Sequence, residues 1–223
     1  MGLLPMDTSP GIPQQNRRLA AIMFLDMVGY SAMMSKDEAR ALACVGELEK
    51  LLRAEIPRYG GRLVKFLGDG SMAEFPTALA SVTCSQSVLT SIEANNAWVT
   101  PENRYAVRIG LHLGELVDVQ DDIFSDTVNV AARIQPIADP GGIAMSSFLY
   151  SQIKNQLNLK GTYLPPQKLK NIPEKMRIFL VHPIKIESAS ETSSRHRKLA
   201  IRVAVGVVLF LLGAWLINLL LRR

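Results

Sequence analysis

The sequence predicts an α+β domain with a βαββαβ order, followed by one membrane-crossing helix, and three observations predict it. Between positions 17 and 183, apolar runs of strand length alternate with stretches of helical periodicity. A Gly-Asp-Gly turn at 68–70 separates two apolar runs, which is strong hairpin chemistry. Positions 203–221 form a stretch without a single charge. The 223 residues, 48% apolar and 20% charged, suffice for one ordinary domain and are too order-promoting for a disordered chain.

Each element has its own reason. Leu19 to Met27 is an apolar run with Asp26 near its end, which suits a buried strand. Ser35 to Tyr59 carries a helical stripe of Leu42, Val45, Leu48, Leu52 and Ile56, and Pro57 and Gly60-Gly61 stop it. Arg62–Phe66 and Ser71–Phe75 flank the Gly-Asp-Gly turn as a hairpin. Thr77–Glu93 reads as a helix, Tyr105–Val119 as one long strand or two short ones, and Thr127–Ile137 as a helix. Gly142–Ser146 reads as a strand, Ser147–Leu157 as a helix and Gln167–His182 as a closing hairpin. This order points to an α+β sandwich on the ferredoxin-like plan.

The parts divide as a lead at 1–16, the domain at 17–183, a polar then basic linker at 184–202, and a span at 203–221. At about 1.5 Å of rise per residue the span measures about 28 Å, against a hydrocarbon core of about 30 Å. Arg195, Arg197, Lys198 and Arg202 flank its N-side, against Arg222 and Arg223 beyond it. That asymmetry puts the domain in the cytoplasm, tail-anchored and single-pass, on an inner or plasma membrane. Met1–Pro5 is too short for a secretory signal, and Met6 stands where a myristoylation signal wants Ser or Thr.

Lys and Arg number 25 against 20 acids, which first suggests a nucleic-acid binder. Yet those six basic residues all fall after position 194, so the body of the protein is near neutral and nucleic acid is excluded as a partner. Cys44 and Cys84 make neither a disulfide framework nor a zinc motif, and read as small buried hydrophobes. His112 lies within a strand and reads as structural.

Two carboxylates stand out. Asp26 ends an apolar strand and Asp69 sits in the turn of a hairpin that this fold places beside it. Either alone is a common turn or cap residue. Raised together at one edge of a sheet, they suit hard divalent cations, which want oxygen ligands and a phosphate partner. Met27-Val28-Gly29-Tyr30-Ser31 leads into a helix, whose free N–H groups favour phosphate. No Walker A pattern is present. Asn129 and Arg133, four apart, share a helix face, and Lys65 and Asp122 could offer one donor and one acceptor to a flat heterocycle.

Four segments, Phe24-Leu-Asp-Met-Val-Gly-Tyr-Ser31, Lys65-Phe-Leu-Gly-Asp-Gly70, Val107-Arg-Ile-Gly-Leu-His-Leu-Gly114 and Asp122-Ile-Phe-Ser-Asp-Thr-Val-Asn-Val-Ala-Ala-Arg133, resemble in order and spacing the catalytic domain of the class III nucleotidyl cyclases. The resemblance implies that Asp26, Asp69 and the Met27 carbonyl hold two divalent cations per site, Mg²⁺ or Mn²⁺. It implies that Arg108 and Lys170 contact phosphates, that Asn129 orients the ribose, and that Arg133 stabilises charge building on the α-phosphate. Lys65 and Asp122 match the pair that reads the base. Adenine offers an acceptor at N1 and a donor at N6, which this pair satisfies, whereas guanine offers the reverse. ATP is then the substrate and cyclic AMP the product, in a homodimer whose sites are shared between chains. Ser125 and Asp126 stand where the family often has Gly and Asn, and neither change removes a chemical group. The alternatives are a guanylate cyclase, against which the Lys65/Asp122 pair argues, and a silent nucleotide-binding signalling module, which would usually have lost an Asp or the Asn/Arg pair. The hairpin signature of a diguanylate cyclase is missing.

Overall fold

β1 (Arg17–Met27) is the strand on which the domain is assembled. Ala21, Met23, Leu25 and Met27 are buried on one face, and Ala20 and Ile22 on the other. A strand covered on both faces has to be apolar almost without interruption, which is the run seen in the sequence. The protein, represented by a computed structural model, is described over residues 17–119 and 122–183. The lead 1–16, the linker 184–202 and the apolar stretch 203–221 lie outside the described residues. Among the described residues no helix is long and apolar enough to cross a membrane.

After β1 come α1 (Tyr30–Lys36), α2 (Glu38–Arg58), β2 (Arg62–Leu67), β3 (Gly70–Phe75), α3 (Ala78–Asn96), β4 (Val107–Val119) and β5 (Asp122–Phe124). The chain continues through α4 (Asp126–Ile134), β6 (Ile143–Ser146), α5 (Ser147–Ile153), β7 (Gly161–Tyr163), β8 (Gln167–Lys168), β9 (Lys175–Met176) and β10 (Ile178–Val181). The main sheet is mixed and runs β2-β3-β1-β4-β6-β10-β7, with β5 paired to the end of β4. β1 is antiparallel to both β3 and β4, while β4 and β6 are parallel. The first four strands and their helices thus keep the βαββαβ plan, and the later strands extend the sheet beyond β4.

α2, α3 and α5 cover one face. Leu48, Leu52 and Ile56 of α2 and Val82, Val88 and Ile92 of α3 meet Met23, Leu25, Phe75 and Ile109 there. Each aliphatic side chain so buried contributes about 1.5–3 kcal/mol relative to exposure. α4 alone among these helices packs on the opposite face, with Val130, Ala131 and Ile134 turned to the sheet.

Two expectations are corrected. The stretch read as a single helix from Ser35 is two helices, because Asp37 is extended, closes α1 through its N–H on the Met33 carbonyl, and caps α2 by accepting from the Arg40 N–H at 3.0 Å. The short carboxylate competes with helix continuation, as Asp does at an N-cap. The closing hairpin is also divided. β8 and β9 pair in a small separate sheet, whereas β10 enters the main sheet between β6 and β7. All four residues of β10 are buried, so its apolar run belongs inside a sheet and not in a surface hairpin. β5 and β7, three residues each, are too short for periodicity to reveal.

Two glycines let α4 lie close on β4. A Cβ at Gly114 would meet Thr127 Oγ1 at 2.4 Å, and one at Gly110 would meet the Gln135 backbone at 2.4 Å. Gly110→Ala therefore has to push the helix end off the strand, and should cost about 1–3 kcal/mol, read as a lowered denaturation midpoint. Gly46, inside α2 with open space around its Cβ direction, supplies the opposite sign: Gly46→Ala should stabilise by up to about 1 kcal/mol. Equal melting of Gly110→Ala and the parent would refute the close packing of α4.

Candidate active site

Asp26 is the last but one residue of β1, half-buried, and its register partners are Gly70 in β3 and Arg108 in β4. The alignment brings the Asp69 turn to one side of Asp26 and the Arg108 side chain to the other. Gly70 makes the approach possible, since a Cβ there would lie 2.8 Å from the Leu25 carbonyl and 3.2 Å from Asp26 Oδ1. Gly68, at φ 71°, supplies the left-handed residue that the turn needs.

The electrostatics of the pair are unusual for this molecule. Burial raises the Asp26 pKa, the charge of Asp69 and a hydrogen bond shared with Asp69 raise it further, and Arg108 and the Met27 N–H oppose them. Other buried acids are treated differently. Glu74 is held by Arg18 at 2.6 Å and Arg62 at 2.8 Å, and Glu55 by Ser87 at 2.7 Å and Arg58 at 2.6 Å. The Ser87 hydrogen bond, with help from Arg58, lowers the Glu55 pKa. Those acids have partners that compensate them, whereas Asp26 faces a second acid.

A carboxylate pair of this kind needs a proton or a cation between its members. Among the described residues no group of three or more His, Cys, Asp or Glu comes together, so the protein side chains that could hold a cation here are the two carboxylates. That set suits Mg²⁺ or Mn²⁺, which keep several positions for water and phosphate oxygens. The Arg108 Nε is buried without a partner, a donor left over at the same edge.

The turn after β1 divides the expected phosphate contacts. The Val28 N–H is taken by the Ala106 carbonyl at 2.8 Å, which removes it as a phosphate donor. Gly29 is left-handed at φ 72° and precedes the first turn of α1, where the N–H groups of Tyr30 and Ser31 have no intrahelical acceptor.

α4 carries the second group. Ser125 caps it, and Thr127, Val130, Ala131 and Ile134 are buried beneath it. Asn129 and Arg133 lie on its exposed face, turned away from the sheet that carries Asp26. Lys65 is exposed on β2 opposite Met72, next to a bulge after Leu63. Asp122 begins β5 opposite Val119, and its side chain is not among those described. Lys170 is exposed on the β8–β9 turn and lines an open groove of ≈ 590 Å³. The structure thus gathers Asp26, Asp69 and Arg108, and does not gather them with Asn129 and Arg133.

His112, on β4 between β1 and β6, is half-buried, with Nδ1 2.8 Å from Ser146 Oγ, and desolvation pushes its pKa down to about 4. Its place is in the packing beneath α4. The signals missed from sequence were the cap role of Ser125 and the close approach at Gly70, both of which depend on what the fold places opposite them.

Residues 12–183 match the family described as adenylate and guanylate cyclase catalytic domain, and the chain belongs to that family. A crystal structure of an adenylate/guanylate cyclase/hydrolase from Silicibacter pomeroyi is 34% identical, with a TM-score of 0.68, over 76% of this chain and 99% of that one. Putative adenylate cyclase 3 of Rhizobium meliloti (strain 1021) is 32% identical over 168 residues, 75% of this chain and 29% of its own length. An adenylate cyclase of Glutamicibacter nicotianae is 33% identical over 138 residues, 60% of this chain and 32% of its own. The chain spans about a third of the length of these two relatives.

The like-charge pair generates a test that does not need turnover. Asp26 holds its proton more tightly in the folded state, so its ionisation costs stability as pH rises through its raised pKa. In chelator at neutral pH, Asp26→Asn should therefore melt higher than the parent. The gap should close as pH falls and Asp26 takes up its proton. Mg²⁺ or Mn²⁺ should raise the melting temperature of the parent and leave the Asn variant nearly unmoved. A variant that melts lower than the parent in chelator would contradict the charge conflict.

Proposed function

We propose that the protein is an adenylate cyclase that works as a head-to-tail homodimer, converting ATP to 3′,5′-cyclic AMP and pyrophosphate. One observation carries the reading: Asp26, Asp69 and Arg108 meet at one edge of the sheet, while Asn129 and Arg133 face outward from α4. A second copy supplies what each half lacks, and two equal sites follow. The adenylate cyclase names of the Rhizobium and Glutamicibacter relatives favour the same activity.

Asp26 and Asp69, with the Met27 carbonyl, would hold two divalent cations. When bound, these supply Lewis-acid activation of the ribose 3′-hydroxyl and neutralise phosphate charge. Arg108 and Lys170 bind phosphate oxygens, and the Gly29–Ser31 N–H groups add donors there. Asn129 orients the ribose so that its 3′-oxygen lies in line with the α-phosphorus. The 3′-hydroxyl gives its proton to solvent, the 3′-oxygen–phosphorus bond forms, the α–β phosphoanhydride bond breaks, and pyrophosphate leaves. Arg133 meets the charge that builds on the α-phosphate. Lys65 donates to adenine N1 and Asp122 accepts from N6, a pairing that guanine would leave unmatched.

The apolar stretch 203–221, behind a basic linker, would anchor the chain in a membrane with the domain on the cytoplasmic side. The full chain should sediment with membranes and be released by detergent but not by alkaline carbonate. Release by carbonate would mean that the stretch does not span.

Shared sites give the decisive test. Asp26→Ala and Arg133→Ala damage opposite halves, so a mixed dimer keeps one intact site and one doubly damaged site. Each variant alone should lose turnover by orders of magnitude, and mixing them should restore cyclic AMP formation from ATP, with GTP turned over far less. Absence of rescue after demonstrated subunit exchange would place a complete site in each chain.

A further inference from the structure

The attachment of α4 to β4 is made by two hydroxyls on one carbonyl. Ser125 Oγ and Thr127 Oγ1 both donate to the Glu115 carbonyl, each at 2.8 Å, and Ser125 Oγ accepts from the Thr127 N–H at 2.9 Å. A carbonyl oxygen has two lone pairs, so this acceptor is filled by the pair. Thr127 is buried, and its Oγ1 occupies the space where a side chain at position 114 would begin. At the other end of the helix the Gln135 backbone lies over Gly110, and Gln135 Nε2 donates to the Arg108 carbonyl at 3.4 Å. Between these two attachments Asn129 and Arg133 point outward.

We infer that Ser125 and Thr127 are positioning residues for the reaction: their clasp on Glu115 sets the roll of α4 and with it the placement of Asn129 and Arg133. This rests on the reading of α4 as the helix that serves the partner's half of the site. Side chains stand about 5–6 Å from a helix axis, so a roll of about 10° moves them by about 1 Å. A misplacement of that size costs about 10²-fold in rate where geometry matters. α4 has only nine residues, so the attachments at its two ends act on a large part of its length. Ser125 gives this chain a hydroxyl where a glycine would give none, so half of the clasp belongs to this sequence.

The experiment compares Thr127→Val, Thr127→Ser, Ser125→Ala and Arg133→Ala in the full-length protein, measuring kcat and KM for ATP and the folded fraction by circular dichroism. Thr127→Val keeps the shape and removes the donor. Ser125 is only half-buried, so its variant tests the clasp even where Thr127→Val fails to fold. A positioning role lowers kcat about tenfold or more in Thr127→Val and Ser125→Ala, with KM within about threefold, and Thr127→Ser returns kcat to within about threefold of the parent. Wild-type kcat in both hydroxyl variants, or a loss that only tracks the unfolded fraction, overturns the clasp. If Arg133→Ala is inactive while both hydroxyl variants are normal, the clasp falls and the catalytic reading of α4 stands. If Arg133→Ala keeps normal turnover, the catalytic reading falls and the positioning role falls with it.

Discussion

The register between β1 and β4, running from Arg17 opposite Val117 to Met27 opposite Val107, fixes everything else in the domain. Side chains alternate along a strand, so slipping this pairing by one residue would turn every side chain of one strand to the other face. Asp26 would then leave Arg108, and the two glycines of β4 would no longer lie under α4. Two buried faces make such a slip costly, because Ala20 and Ile22 fill one core while Ala21, Met23 and Leu25 fill the other. The juxtaposition of Asp26 and Arg108 is therefore held by apolar packing on both faces of β1.

Against that rigid frame, the Asp26–Asp69 pair is a local conflict. The fold could neutralise an acid there, as it does at Glu74 with two arginines from neighbouring strands. It instead sets Asp26 between a second acid and one arginine, Arg108, whose Nε is left unpartnered. Strain of this type persists where the surrounding structure over-determines the geometry, and it marks positions kept for binding. A divalent cation held between the two carboxylates would relieve that conflict.

Much of this was legible because the decisive features are local. The Gly-Asp-Gly turn announces its hairpin, a run apolar on both faces announces a central strand, and the i, i+4 spacing of Asn129 and Arg133 announces a shared helix face. What escaped depends on partners far away in sequence. Asp37 reads as helix until its extended backbone is seen, and β10 reads as half a hairpin until β6 and β7 are found on either side of it. The loss of Val28 as a phosphate donor could not be read either, because its acceptor, Ala106, stands just before β4, across a whole α/β unit. Ser125 looked like a substitution in a loop, and becomes a cap only once Glu115 stands opposite it.

The parallel link between β4 and β6 explains why the second face of the sheet is built as it is. A parallel connection has to cross over the sheet, and α4 makes that crossing on the face away from α2, α3 and α5. Being short, it covers β4 and its neighbours and leaves the β2–β3–β1 side with a thin core. Ala20, Ile22, Met72, Leu116 and Ala131 are buried there, but Phe24, Val64 and Val128 stay partly open at its margin. On the proposed homodimer reading, a second copy would cover this apolar margin next to Asp26. The geometry that exposes Asn129 and Arg133 on α4 and the geometry that leaves the sheet uncovered thus have one cause, the crossover itself. In a head-to-tail pair, burying the open margin of one chain would carry α4 of the other toward the carboxylates, so association and assembly of the site would be a single event.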